Sequence, residues 1–137
     1  MTLAIIRILF DVGLLVLIWI VQRVVYPSFT YYNRDGLMKW HDKYTQRITF
    51  VVLPLMLGQV IVSGLQLWRI ASWYTIISFV IILLLWASTF LKFVPLHHKI
   101  SKGDFNKNTL TDLIRYNWIR TALWTILFLL SIVEITL

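Results

Sequence analysis

Long apolar stretches joined by short polar ones make up most of this chain. The stretches at residues 3–26, 48–68, 73–94 and 114–136 each match the roughly 20 residues that a helix needs to cross a bilayer. Only a few residues separate the second stretch from the third, so these two form an antiparallel hairpin. The pattern predicts an all-α fold, an integral membrane four-helix bundle that forms one domain over residues 1–137.

The polar stretch before the second span, residues 27–46, begins with a turn-forming segment and continues with a helical pattern. Asp35 stands where a helix N-cap is expected. We therefore predict a short interfacial helix that begins near Asp35 and precedes the second span.

Composition supports the membrane assignment. The chain is 59% hydrophobic and 14% charged, with a mean hydropathy of +0.78, which is too apolar for an average soluble domain of this length. Since it contains no cysteine, disulfides, thiolate nucleophiles, iron–sulfur clusters and cysteine zinc sites are excluded. The net charge of +7 indicates a bilayer with anionic headgroups as the partner, and no nucleic acid.

The basic residues also predict an orientation. Of the 13 lysines and arginines, Arg7 and Arg69 lie near one membrane face and all the others near the opposite face. Positive charge accumulates on the cytoplasmic side of a membrane protein. We therefore predict a multi-pass protein of the cell membrane with both termini outside and both long loops in the cytoplasm.

Several residues able to support chemistry fall near the predicted cytoplasmic ends of the spans. We predict His41, Tyr44, Asn117 and Arg120 as catalytic residues, and His41, His97 and Arg120 as cofactor-binding residues. Neutral imidazoles bind haem iron or a divalent metal ion, so His41 and His97 are the candidate metal ligands for haem or a single metal ion. Arg120 is suited to a carboxylate or propionate.

A plainer interpretation of the same residues stays open. Histidines at a membrane surface are often hydrated loop residues, and Arg120 can extend its side chain to the headgroups. No established metal, phosphate or nucleophile motif occurs in the sequence.

Aromatic side chains suggest a flat apolar pocket for a porphyrin, quinone or polycyclic substrate. Ordinary helix packing and lipid contact explain the same residues equally well. They are Phe79, Trp86, Phe90, Trp118, Trp124 and Phe128.

A second polar group lies toward the end of the bundle that holds the termini. We expect Asp11 to pair with Arg7 one turn away, and Glu134 to meet Arg69 or water. The glutamines of the second span then join helices to one another.

Three segments resemble anthrone-oxygenase-like four-helix membrane proteins: Tyr26-Pro27, Val94-Pro95-Leu96-His97-His98-Lys99-Ile100 and Tyr116-Asn117-Trp118-Ile119-Arg120-Thr121. The Asn-x-x-Arg pair that opens the fourth helix of that group matches Asn117 and Arg120, whereas the group usually has asparagine where this chain has His97. The resemblance implies an oxygenase that acts on a hydrophobic ring substrate. A looser likeness, in topology and in a histidine near the second helix, links the chain to haem-binding four-helix protoporphyrinogen oxidases of bacterial membranes.

The leading hypothesis is thus a membrane oxidoreductase or oxygenase-like protein acting on a hydrophobic ring substrate, or a haem-binding protein. The alternative is a non-catalytic subunit or scaffold, in a homo-oligomer or a larger membrane complex. A small transporter is the third choice. The sequence leaves open whether the protein is an enzyme.

Overall fold

The computed structural model describes residues 2–137, which fold into four long helices without strands. They are α1 (Leu3–Tyr31), α2 (Arg34–Arg69), α3 (Trp73–Lys102) and α4 (Lys107–Thr136). Each is long and apolar enough to cross a membrane. The predicted all-α membrane four-helix bundle is confirmed.

The helices extend well beyond the apolar spans at one end of the bundle. The predicted helix before the second span begins at Arg34, near Asp35 as expected, but it is continuous with that span rather than a separate short helix. Asn33 is the N-cap, since its side chain accepts a hydrogen bond from the Gly36 amide at 2.7 Å. No proline or glycine interrupts residues 37–53, so nothing separates the polar turns from the apolar ones.

The two predicted long loops are mostly helical for the same reason. Only residues 32–33 join α1 to α2, and residues 103–106 join α3 to α4. Gly103 has a φ of 81°, a left-handed conformation that ends α3 without the clash of a Cβ atom. Arg34 holds this turn to the start of α2 by donating to the Gly103 and Phe105 carbonyls. The end of the bundle with these two turns is called the loop end below.

Packing follows the up-and-down connectivity. Helix α1 packs against α2 and α4, and α3 packs against the same two helices. Both termini therefore lie at the end opposite the loop end. Apolar side chains such as Leu14, Ile82 and Leu127 fill the centre of the bundle. Large apolar residues also cover its outside, for example Phe50 and Leu91, as expected where lipid replaces water.

Helices α1 and α2 come close together at Gly58. A Cβ atom added to Gly58 would lie 2.2 Å from the Phe10 ring, whereas one added to Gly64 would meet only Phe79 at 3.7 Å. The first distance requires a side chain to move, and the second is ordinary contact. Small residues allow such close approach of membrane helices.

We expect Gly58→Ala to destabilise the bundle by about 1–3 kcal/mol, the usual range for overpacking. Gly64→Ala is the matched control and should be neutral or slightly stabilising, because alanine favours the helix by up to ~1 kcal/mol. Thermal unfolding in one detergent measures both variants. Equal unfolding midpoints would show that the Phe10 contact does not constrain the helices.

Candidate functional site

A chain of hydrogen bonds joins four side chains at the loop end. The Tyr26 hydroxyl bonds His97 Nε2 at 3.0 Å. His97 Nδ1 bonds His41 Nε2 at 2.7 Å, and His41 Nδ1 bonds the Ser101 hydroxyl at 2.8 Å. The structure thus brings together two predicted residues, His41 and His97, with two that were not predicted.

Two π-helical turns help to place these residues. They are Val21–Val25 in α1 and Thr89–Phe93 in α3, and each ends two residues before a proline, Pro27 or Pro95. Proline lacks an amide hydrogen and crowds the carbonyl four residues earlier, and the wider π turn relieves that contact. The chain therefore stays helical through both prolines. Tyr26 comes directly after the first π turn, and His97 lies two residues after Pro95.

Aromatic rings enclose the histidine pair. Phe29 packs edge-on against His41 and against Tyr44, with ring centroids 5.4 Å apart in both cases. His41 and Tyr44 lie 6.0 Å apart by the same measure. His41 and Phe29 are fully buried, so bulk water does not reach the centre of the hydrogen-bonded chain. The adjacent His98 is exposed and takes no part in it.

A cavity of about 500 Å³ lies beside these hydrogen-bonded side chains, between α2 and α3. Tyr26, Tyr44, His97 and Arg120 line the cavity together with many apolar side chains. Its other polar lining residues are Asp42, Thr45, Thr49, Thr89, His98 and Ser101. Exposed residues of α2 and α3 lie at its border, both in the apolar segments, as at Leu53 and Phe90, and nearer the loop end, as at Asp42 and His98. The cavity therefore opens sideways through the gap between these helices.

Arg120 lies inside the bundle and not at the headgroups. It is only 7% exposed, and its guanidinium stacks over Phe93 at 4.1 Å and near Trp124 at 5.3 Å from the ring centroids. Over residues 2–137, no acidic side chain forms an ion pair with it. Its Nε has no hydrogen-bond partner there. A buried cation without a carboxylate is costly, so Arg120 is available to an acceptor in the cavity.

Asn117 is held away from the cavity. Its Nδ2 donates to Gln22 Oε1 at 2.9 Å, and Thr121 donates to the same oxygen at 3.0 Å. Gln22 in turn donates to the Ile114 carbonyl. These contacts join α1 to α4 and engage the amide nitrogen of Asn117, whereas its buried Oδ1 has no partner within the described residues. Asn117 does not line the cavity, and its catalytic role stays a prediction.

Half of the predicted aromatic pocket is present. Trp86, Phe90 and Trp124 line the cavity, whereas Phe79, Trp118 and Phe128 do not. Trp118 instead packs edge-on against Trp19 at 5.8 Å on the outside of the bundle. The buried Nε1 of Trp86 has no partner within the described residues, so it is a second free donor at the cavity.

The predicted metal and haem ligation does not fit this arrangement. All four ring nitrogens of His41 and His97 are engaged in hydrogen bonds, so a metal would have to displace one of them. The described residues also contain no group of three or more histidine and carboxylate side chains able to hold an ion. Neutral imidazoles that bond to each other are instead suited to moving a proton.

A separate polar cluster occupies the terminal end of the bundle. Arg7 and Asp11 form the predicted ion pair at 3.2 Å, with side chains 1% and 0% exposed. Gln59 donates to Asp11 at 2.6 Å, and Ser131 donates to the other carboxylate oxygen. Glu134 accepts from Gln66 at 2.7 Å, and within residues 2–137 it forms no ion pair with Arg69.

No protein-family model, curated protein or solved structure matches this chain. The resemblance to anthrone-oxygenase-like proteins stays a prediction, and function has to be argued from the site itself.

We expect Asp11→Asn to destabilise the protein by about 3–5 kcal/mol, because it leaves the Arg7 charge buried without a partner. Asp112→Asn is the control: it breaks the exposed pair of Asp112 and Arg115, which is worth about 0–1 kcal/mol. Denaturant unfolding in mixed micelles measures both. Similar losses for the two variants would show that burial adds nothing to the Arg7 pair.

Proposed function

We propose that this protein is a membrane enzyme of the oxidoreductase or oxygenase-like type, which takes a hydrophobic ring substrate into the cavity and removes a proton from it. The observation that carries the proposal is the Arg120 guanidinium, buried and without an acidic partner, in a cavity that also contacts a hydrogen-bonded histidine pair.

The cavity walls favour a flat, apolar ligand. Six aromatic side chains line the cavity: Tyr26, Tyr44, Trp86, Phe90, Phe93 and Trp124. Aromatic faces and edges pack well against rings, while a few fixed donors set the orientation of a ligand. Arg120 and Trp86 Nε1 supply such donors. An apolar substrate dissolved in the bilayer can enter between α2 and α3 without passing through water.

The polar end of the cavity supports proton removal. A neutral imidazole accepts a proton from a weakly acidic carbon or hydroxyl group. The negative charge left on the substrate is stabilised by the fixed guanidinium, which needs no reorganisation in a dry site. Arg120 thus makes the substrate more acidic, and the histidine pair receives the proton.

Dioxygen is the oxidant in an oxygenase-type version of this reaction. A ring methylene group and O2 give a ring carbonyl and water, so one oxygen atom enters the substrate and the other leaves with both hydrogens. Substrate deprotonation is the step assigned to the protein, because the anion is far more easily oxidised than the neutral ring.

A non-catalytic subunit or scaffold explains the site less well. Polar groups inside a membrane bundle are costly and tend to be functional. Packing alone gives no reason to keep a guanidinium without a carboxylate, and an indole Nε1 without a partner, on residues that line a cavity.

We expect the purified protein to convert anthrone, a ring ketone with an acidic methylene group, to the quinone under O2. The rate should exceed the protein-free background and persist in EDTA. Arg120→Gln should lower it by about 10–100-fold, the effect of losing a hydrogen bond to a charged group. Arg115→Gln removes an exposed arginine from the same helix and should have no effect. Quinone absorbance and O2 uptake measure the rate, and a rate equal to background would refute the proposal.

We also propose the orientation that the basic residues indicate, with both termini outside the cell. The natural chain has no cysteine, so single-cysteine variants report accessibility directly. Thr136→Cys should react with a membrane-impermeant maleimide on intact cells, whereas Lys107→Cys should react only after permeabilisation. The reverse pattern would invert the topology and place the histidines on the outer side.

A further inference from the structure

We infer that Tyr26, His97, His41 and Ser101 form a proton relay from the part of the cavity beside Arg120 to its solvent-exposed border at the loop end. The inference rests on the proposed function, because it assigns the route taken by the proton that the substrate loses. It also gives roles to Tyr26 and Ser101, which lie outside the predicted site.

Every member of this chain can both donate and accept a hydrogen bond. Hydroxyl groups do so through one oxygen, and a neutral imidazole does so through its two nitrogens. The three contacts are 3.0, 2.7 and 2.8 Å long, within the usual range for hydrogen bonds. No side chain that only donates or only accepts interrupts the sequence from Tyr26 to Ser101.

The contact between the imidazoles restricts their protonation. Across 2.7 Å, one of the facing nitrogens must carry a hydrogen and the other must not. Two neutral rings therefore share one tautomer: both carry the proton on Nδ1, or both carry it on Nε2. In the first state each group donates its hydrogen bond to the next one in the direction from Tyr26 to Ser101. In the second state all three hydrogen bonds are donated in the opposite direction.

The ends of the chain meet different surroundings. Tyr26 is 4% exposed and lines the cavity together with Arg120. Ser101 is half-buried in the last turn of α3, two residues before Gly103, and lines the same cavity as the exposed Asp42 and His98 do. Between Tyr26 and Ser101, His41 is fully buried. While a substrate fills the cavity, a proton lost beside Arg120 can therefore reach the exposed border of the cavity along side chains.

Transfer along the chain conserves atoms and charge. The substrate gives a proton to the Tyr26 oxygen as the Tyr26 proton moves to His97 Nε2. The His97 Nδ1 proton moves to His41 Nε2, the His41 Nδ1 proton moves to Ser101, and the original Ser101 proton passes to water. Each oxygen or nitrogen that breaks a bond to hydrogen forms a new one. The substrate becomes an anion beside Arg120, and both histidines end neutral in the other tautomer.

The first test measures the tautomers without any ligand. The chain has three histidines, so ring-¹⁵N NMR of histidine-labelled protein in nanodiscs gives few signals, and His98→Gln assigns the third. We expect equal Nδ1-protonated fractions at His41 and His97. Tyr26→Phe should shift both fractions by the same amount. Ser101→Ala, which removes the hydroxyl at the opposite end of the relay, should also shift both fractions equally. Unequal fractions, or a Tyr26→Phe effect confined to His97, would overturn the relay.

The second test follows proton release from a bound probe. 2-Naphthol is a flat photoacid whose excited state emits as naphtholate only where a proton acceptor is connected to it. We expect naphtholate emission from the wild type, and its loss in Tyr26→Phe and His41→Gln with binding retained. Arg115→Gln, which changes an exposed residue outside the cavity, should leave the emission unchanged.

The outcomes separate the relay from the proposed function. Binding with naphtholate emission that survives Tyr26→Phe and His41→Gln would overturn the relay and leave the cavity as a binding site. Failure of wild type to bind 2-naphthol, or binding unaffected by Arg120→Gln, would count against the proposed function. The tautomer fractions would then decide by themselves whether the four side chains act as one unit.

Discussion

Inside a membrane-spanning bundle, a polar side chain must find its partner within the protein, because acyl chains offer none. The terminal end of this bundle meets that requirement with Arg7, Asp11, Gln59 and Ser131, which belong to three helices and bond to one another. The loop end meets it only in part. There the histidines and Tyr26 are bonded, but Arg120 lies in a cavity with aromatic rings for neighbours and no carboxylate. Within the described residues Arg7 also has nitrogens without a hydrogen-bond partner, so the two ends differ in that Arg7 has a carboxylate beside it, whereas Arg120 has none and lines a cavity.

The geometry of the cavity depends on how the chain accommodates Pro27 and Pro95. Each follows a π turn, and both prolines lie where the apolar part of their helix gives way to its polar extension at the loop end. A π turn adds a residue to one helical turn, which shifts the faces of all later residues, and such turns are frequent at functional sites. The shift carries Tyr26 and His97 toward each other while the helices stay continuous. The helices therefore continue beyond the apolar spans at the loop end, and the hydrogen-bonded side chains lie in this part of the bundle.

The sequence predicts the fold well, because four apolar stretches of membrane length admit few arrangements. It also finds His41, His97 and Arg120, since polar residues near the ends of spans stand out against an apolar background. Ser101 is missed because Pro95 reads as the end of a helix, although Ser101 lies one turn after His97 once the helix continues. Tyr26 is missed because tyrosine at a membrane boundary is common. For Asn117 the role stays a prediction: helical periodicity places it on nearly the same face as Arg120, but does not foresee that its amide nitrogen bonds Gln22.

Proton chemistry, more than metal chemistry, follows from these contacts taken together. Each imidazole nitrogen already takes part in a hydrogen bond. The 2.7 Å contact between the rings requires the two neutral histidines to have the same tautomer as each other. If both rings carried two protons, neither facing nitrogen could accept, so the contact does not allow both histidines to be charged and is suited to rings that pass protons on. Arg120 supplies the complementary half, a fixed positive charge that stabilises an anion in the cavity. Separating the proton from the anion in this way lets a dry, apolar site carry out acid–base chemistry, since neither product is left without a partner.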